Sequence, residues 1–217
     1  MSQFSYTLIR IGINAAIIGI VFYSIIIHEV SHAWAAFALG DDSAKRAGRL
    51  SFNPLKHVDP FGTVILPLIL YFTYFTAGFI YGYAKPVPFN PYNFRNFKRD
   101  SGLTALAGPL SNILIAIVMA IIFHFVPPIV QSILYYVVFL NLLLAFFNLI
   151  PVPPLDGSKV LGMVLTDEAY FKWTAQERKG MIWLFAIIII SNLLGLNLIG
   201  KIVLPPVQFV MHILGML

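Results

Sequence analysis

Cysteine is absent from the 217-residue chain. That excludes disulfides, thiolate metal sites and a cysteine nucleophile, so the ligands of any metal must be His, Asp or Glu. Charge is scarce as well: Asp, Glu, Lys and Arg make up 11% of the residues, where a soluble domain carries roughly a quarter. The net charge of +5 is low for a nucleic-acid binder. The basic residues also fall in loops between apolar segments, which fits orientation in a membrane, and no nucleic-acid partner is expected. No repeat, heptad run or low-complexity tract stands out. A cleavable signal peptide is not expected, because the first apolar stretch is too long for a signal core and carries ionisable residues. What fills the chain is apolar: 59% of residues are hydrophobic and the mean hydropathy is +0.85. Almost the whole chain therefore reads as membrane domain.

The expected fold class is an all-α polytopic membrane protein with about five to six membrane segments. Segment one runs from about Leu8 to Leu39, with Gly40 placed to stop it. About 30 residues at 1.5 Å each give roughly 45 Å, longer than a 30 Å hydrocarbon core, so it must tilt or protrude. Segment two, about Phe61 to Tyr83, is interrupted by Pro67, Gly78 and Gly82. Segment three, about Leu103 to Val126, contains Gly108-Pro109-Leu110-Ser111-Asn112. Segment four, about Val130 to Ile150, runs into Pro151-Val152-Pro153-Pro154, which cannot continue a regular helix. Residues 158–179 form a small polar excursion. Segment five spans about Gly180 to Ile199, and Pro205-Pro206 precede a last short apolar stretch from Val207.

Chemistry concentrates in His28-Glu29-Val30-Ser31-His32, an H-E-x-x-H pattern in the last third of segment one. Residues four apart share a helix face, so His28 and His32 can point at one metal ion, while Glu29, about 100° round the helix, can act on a water there. Two imidazoles and a carboxylate in an apolar segment mark a functional site by default. Catalytic zinc takes three protein ligands and leaves one position open. Asp156 stands out for the third: it follows the end of segment four, in Pro-rich backbone beside Gly157. A plain helix-end carboxylate is the alternative reading of Asp156.

Together with Asn148-x-x-Pro151-x-x-x-Leu155-Asp156-Gly157, the H-E-x-x-H pattern resembles the two signature motifs of the site-2 protease family of intramembrane zinc metalloproteases. Gly108-Pro109-Leu110-Ser111-Asn112 resembles the family's motif on the intervening helix. The stretches Asn53–Thr63 and Lys85-Pro86-Val87-Pro88 resemble its compact bacterial-type members, so the likeness covers about residues 20–160. It implies a single membrane-embedded metalloprotease domain over 1–217, with a three-helix catalytic core in about 8–160 and further membrane segments in about 180–217. It also implies Zn2+ held by His28, His32 and Asp156, and Glu29 as general base. Asn148 and Asn112 are candidates to hold substrate backbone or the oxyanion, with a plain helix–helix hydrogen bond as the alternative for each. The expected substrate is a transmembrane protein in the lipid bilayer; the oligomeric state is left open. A zinc-binding transporter or a silent scaffold is the competing class. Transport predicts several polar sites along a path, and a scaffold has no use for Glu29.

Topology has its own constraint. If His28, His32 and Asp156 share an ion, segments one and four must end on one side, which fails if segments two, three and four all cross. A re-entrant or broken segment two repairs the parity. Loops 40–60, 84–102 and 154–179 then share a side and hold nearly all the Lys and Arg, which places the site toward the cytoplasm.

Overall fold

The computed structural model describes residues 3–57 and 87–217. Among these, every regular element is a helix. Helix α1 (Gln3–Ala38) is 36 residues long. It stops where expected: Gly40 adopts φ 109°, a conformation that strains a residue with a side chain, and the Asp41 N–H turns back to Ala36 O at 2.9 Å. A short α2 (Ser43–Arg46) follows, then a 3₁₀ turn at Pro54–Lys56. The segment expected at 61–83, with its re-entrant path, lies outside the described residues.

The chain is described again from Val87 and passes a second 3₁₀ turn at Pro91–Asn93 into α3 (Phe97–Phe123). Helix α3 starts six residues before the expected Leu103. Its first turn is built from the polar residues the sequence pattern leaves in the loop. Asn96 accepts the Arg99 N–H through its side chain, and Asp100 accepts the Asn96 N–H, a reciprocal cap. Helix α4 (Pro128–Asn148) begins on a proline, which suits a first helical turn. The polar excursion resolves into α5 (Asp156–Gly162) and α6 (Asp167–Thr174), the latter capped by Thr166. Helices α7 (Glu177–Leu193) and α8 (Leu198–Ile213) close the chain. Here the boundary differs from expectation. Segment five ends near Leu193, and Pro205 and Pro206 lie inside α8 instead of preceding a new stretch. A proline removes the donor for the carbonyl four residues back, so Lys201 O and Ile202 O lose their helical partners. Neither proline is in the buried face of Val203, Val207 and Met211, and the packed side of α8 is therefore uninterrupted.

Among the described residues, three helices are long and apolar enough to cross a membrane: Ile11–Ala38 of α1, α3 and α4. Their outer surfaces carry Ile18, Leu114, Ile121 and Tyr136 exposed, which water would penalise and lipid would not. Helix α3 lies between the others and packs on α1, α4 and α5. Its Ala105, Gly108, Ala116 and Ala120 are buried, small residues that let helix backbones approach. The register is antiparallel to α1, since His32 meets Thr104 while Ser24 meets Asn112. Helix α4 runs the other way again and ends, like α1, where α3 begins. Helix α1 therefore ends, and α3 begins, at the same end of the bundle. That end carries the polar residues; at the other end Ala116, Ala120, Val138, Leu142, Val203, Val207, Met211 and Met216 form the largest apolar cluster.

Candidate metal centre

One turn separates His28 from His32 on α1, and α5 brings Asp156 onto both. His28 Nε2 and His32 Nε2 are 3.0 Å apart, and Asp156 Oδ2 lies 3.2 Å from the first and 3.3 Å from the second. This is the group of metal-ligating side chains found among the described residues. All three are largely shielded, with side-chain exposures of 6%, 14% and 14%. The other histidines stay apart: His57 is buried with Nε2 against Ser51 O, and His124 donates to Leu214 O at the far end.

What fills the space between these atoms follows from their protons. Asn141 Nδ2 donates to Val137 O (2.8 Å), a carbonyl that can only accept, so Asn141 Oδ1 is the atom facing Asn112. Asn112 Nδ2 donates to it (3.0 Å), which turns Asn112 Oδ1 toward His28 Nδ1 at 2.6 Å. The proton of that bond must then sit on His28 Nδ1. His32 Nδ1 likewise donates to Thr104 O at 2.7 Å. In the neutral imidazoles both Nε2 atoms carry lone pairs, aimed at each other and at a carboxylate oxygen. With both rings neutral, the three acceptors repel unless a cation joins them. Ligands at about 2.0–2.2 Å from a tetrahedral zinc lie roughly 3.3 Å or a little more from one another, close to the separations here. The outer bonds on each Nδ1 are the ones that orient metal-bound imidazoles. The donor set therefore fits zinc and leaves a coordination position open.

Two glycines make the approach possible. A Cβ on Gly108 would fall closer than 3.0 Å to His32 Nε2, His32 Cε1 and His28 Nε2. A Cβ on Gly157 would collide with the backbone of Leu149 and Ile150, so only glycine lets α5 start tightly under the end of α4 and hold Asp156 in place. Asp156 itself is the first residue of α5, not part of the irregular Pro-rich turn, which ends at Leu155.

Glu29 stands beside this group without joining it. It is half-buried, and its Oε2 accepts the Val87 N–H at 3.2 Å. Of the two candidate asparagines, Asn112 is fully buried and makes the helix–helix bonds given as its alternative role, to His28, Asn141 and Ser24 O. Asn148, half-buried at the end of α4, donates one N–H to Leu144 O (3.0 Å) and keeps a second. Sequence reasoning did not single out Asn141, Thr104 O or the clearance at Gly108. A lone Asn in mid-helix gives no hint of its partner, and a backbone carbonyl gives none at all.

The family model described as peptidase family M50 matches residues 126–194, from α4 through α7. YwhC of Bacillus subtilis (strain 168), named as a zinc metalloprotease, is 34% identical over 182 residues, 78% of this chain and 78% of that protein. The chain belongs to peptidase family M50. Among other M50-like relatives, Rip2 of Mycolicibacterium smegmatis, named likewise, is 27% identical over 73% of this chain and 60% of its own length. MJ0611 of Methanocaldococcus jannaschii, also so named, is 37% identical over 45% of this chain and 47% of its own. No solved structure matches. M50 is the site-2 protease family that the motifs around His28 and Asp156 resemble, and the protein is accordingly a metallopeptidase of that type with several membrane helices.

Proposed function

We propose that the protein is an intramembrane zinc metalloendopeptidase that hydrolyses peptide bonds of transmembrane proteins, as in regulated intramembrane proteolysis. Its metal would be held by His28, His32 and Asp156. The observation that supports this reading is the convergence of His28, His32 and Asp156, with the two imidazoles held from behind by Asn112 and Thr104 on a helix of membrane-spanning length. When bound there, zinc supplies a Lewis acid for the scissile carbonyl and acidifies a water. The rest falls to the chain. Glu29, one residue from His28, takes the proton of the attacking water and returns it to the leaving amide nitrogen. Asn148, with an N–H to spare, is the remaining side-chain candidate to steady the oxyanion. Largely shielded donors exclude competing solvent.

The substrate helix has its carbonyls already bonded and must unwind before attack, so helix-weakening residues near the cut are expected. The site is placed toward the cytoplasmic side of the cell membrane. The basic loops support that orientation, as does the end of α1 lying beside the start of α3. A cysteine introduced at Ser43 and one at Asn93 should label from the same side; opposite labelling overturns this topology. For the chemistry, Glu29→Gln should keep one zinc per chain and lose cleavage of a membrane-embedded substrate by at least about 10³-fold. Equal cleavage by mutant and wild type would sink the mechanism.

A further inference from the structure

We infer that Asp41, in the turn after α1, is a positioning residue for Glu29, acting through the segment 87–94. This rests on the reading of Glu29 as general base.

Asp41 is fully buried. Its carboxylate accepts four hydrogen bonds, all from neutral donors: Ser43 N (3.1 Å), Ser43 Oγ (2.6 Å), Asn93 Nδ2 (2.7 Å) and Asn90 N (2.7 Å). A buried acid with such partners costs desolvation, and what it gains is geometry. Two of the four bonds cross to the far segment, at Asn90 and Asn93. From Asn90 back to Val87 is three residues, at most about 10 Å of extended chain. At that end the Val87 N–H donates to Glu29 Oε2, and the Val87 side chain is buried with Ala33 and Ala44 and packed against Leu50. Between the two anchors, Phe89 lies under the Lys159 ammonium (4.8 Å), one turn along α5 from Asp156, and stacks on the buried Phe94.

The segment is thus strapped across the elements that carry the three metal donors, with Asp41 as its polar anchor and Glu29 at its tip. The Val87 bond occupies one carboxylate oxygen and fixes the side-chain rotamer. The other oxygen, Oε1, has no partner among the described residues and is the one available to a proton. Releasing the anchor lets the tip drift and Glu29 with it. Displacements near 1 Å at a reacting group cost up to about 10²-fold in rate.

The test uses the full chain in proteoliposomes with a single-pass model substrate. It measures kcat, KM, zinc stoichiometry and exchange protection of the Val87 amide. Asp41→Ala should lower kcat about 10- to 100-fold, leave KM within about twofold and zinc at wild-type stoichiometry, and expose the Val87 amide. Asp41→Glu, which keeps the charge, should recover part of kcat. Asp42→Ala, next door but half-exposed and ion-paired to Arg46, should behave as wild type. Wild-type kcat in Asp41→Ala with the Val87 amide exposed overturns the inference, and so does a fall in kcat no larger than the fall in zinc content. If Asp41→Ala is not recovered folded, Asn93→Ala decides, since Asn93 is exposed and contributes one bond to Asp41: a kcat drop of threefold or more supports the anchor, and unchanged kcat overturns it. Glu29→Gln separates the two readings. Should it cleave like wild type, the base assignment fails; should it be inactive while Asp41→Ala is fully active, only the anchor fails.

Discussion

In its first half, α3 sets Thr104, Gly108 and Asn112 against the histidines of α1; in its second, Ala116 and Ala120 meet Val138 and Leu142 of α4 and Val207 and Met211 of α8. Both halves depend on small residues to bring helices together, but they use the closeness differently. At the apolar end contacts are many, weak and non-directional, so a lost methyl is shared among neighbours. At the metal end a few hydrogen bonds fix two ring orientations, and no neighbour can take over a lost one. The same helix should therefore yield variants that keep their fold and lose the metal, and variants that keep the metal and lose stability.

The largest effect is expected at Gly108. Gly108→Ala puts a methyl into the space between the imidazoles, and neither ring can swing away without breaking its Nδ1 bond to Asn112 or Thr104. Zinc should fall well below one per chain and cleavage by more than about 10³-fold, with helical content unchanged. Ala120→Gly, the reverse change at the apolar end, should leave zinc content untouched. Metal analysis of both purified variants checks the pair; full zinc in Gly108→Ala would break the contrast.

Next comes Asn141, two residues removed from the metal. Asn141→Leu removes the nearer acceptor of Asn112 Nδ2, leaves only the 3.5 Å bond to Ser24 O, and loosens the amide toward a flip that would set an N–H against the His28 Nδ1 proton. Zinc affinity should drop about 10- to 100-fold, measured by competition with a chelator. Asn141→Gln should not restore it, because its amide is one methylene further out. An unchanged affinity would show that His28 is oriented by other means.

How much of this was legible beforehand divides along the same line. The helices α1, α3 and α4, the ligand trio and Glu29 all carried signals: hydrophobic length, a four-residue spacing, a carboxylate beside a Pro-rich turn. Helix α3 begins six residues before its apolar stretch because Lys98, Arg99 and Asp100 look like loop, and the Asn96–Asp100 cap is what makes them a first turn. Helix α8 was cut at Pro205-Pro206 because proline normally ends a helix, yet the buried stripe of Val203, Val207 and Met211 holds it across the break. For Asn112 a polar residue in a family motif suits a contact with the reaction or a helix–helix bond equally; which way its amide faces is a tertiary fact.

A smaller effect tests the apolar end directly. Leu142 is fully buried in the cluster with Val138 and Val207. Leu142→Ala should cost about 1–2 kcal/mol in reversible unfolding in mixed micelles, at the low end for a core leucine because lipid is as apolar as the site and only packing is lost. Zinc stoichiometry and cleavage rate at low temperature should not change. A variant that lost zinc would mean that the two ends of α3 are coupled, and the division drawn here would fail.

The smallest effect concerns pH, at the turn where α1 ends. Burial pushes the Asp41 carboxyl up, but hydrogen bonds from the Ser43 hydroxyl, the Asn90 amide, the Asn93 side chain and the Ser43 amide outweigh it and hold the group below the ordinary carboxylate range. A carboxylate whose pKa is lower in the folded state adds stability above its unfolded pKa of about 3.9, and that stability fades as pH falls from there through the folded value. The strap at 87–94 should therefore be equally firm across neutral pH and loosen only in acid below about pH 4. Exchange protection of the Asn90 amide, corrected for its intrinsic pH dependence, should report this loosening, while amides in the α4–α8 apolar cluster hold their protection. Asp41→Asn should flatten the acid response of Asn90, because no proton is left to bind. If Asn90 and the apolar cluster lost protection together, acid would be opening the bundle as a whole, and the strap would not be a separate unit.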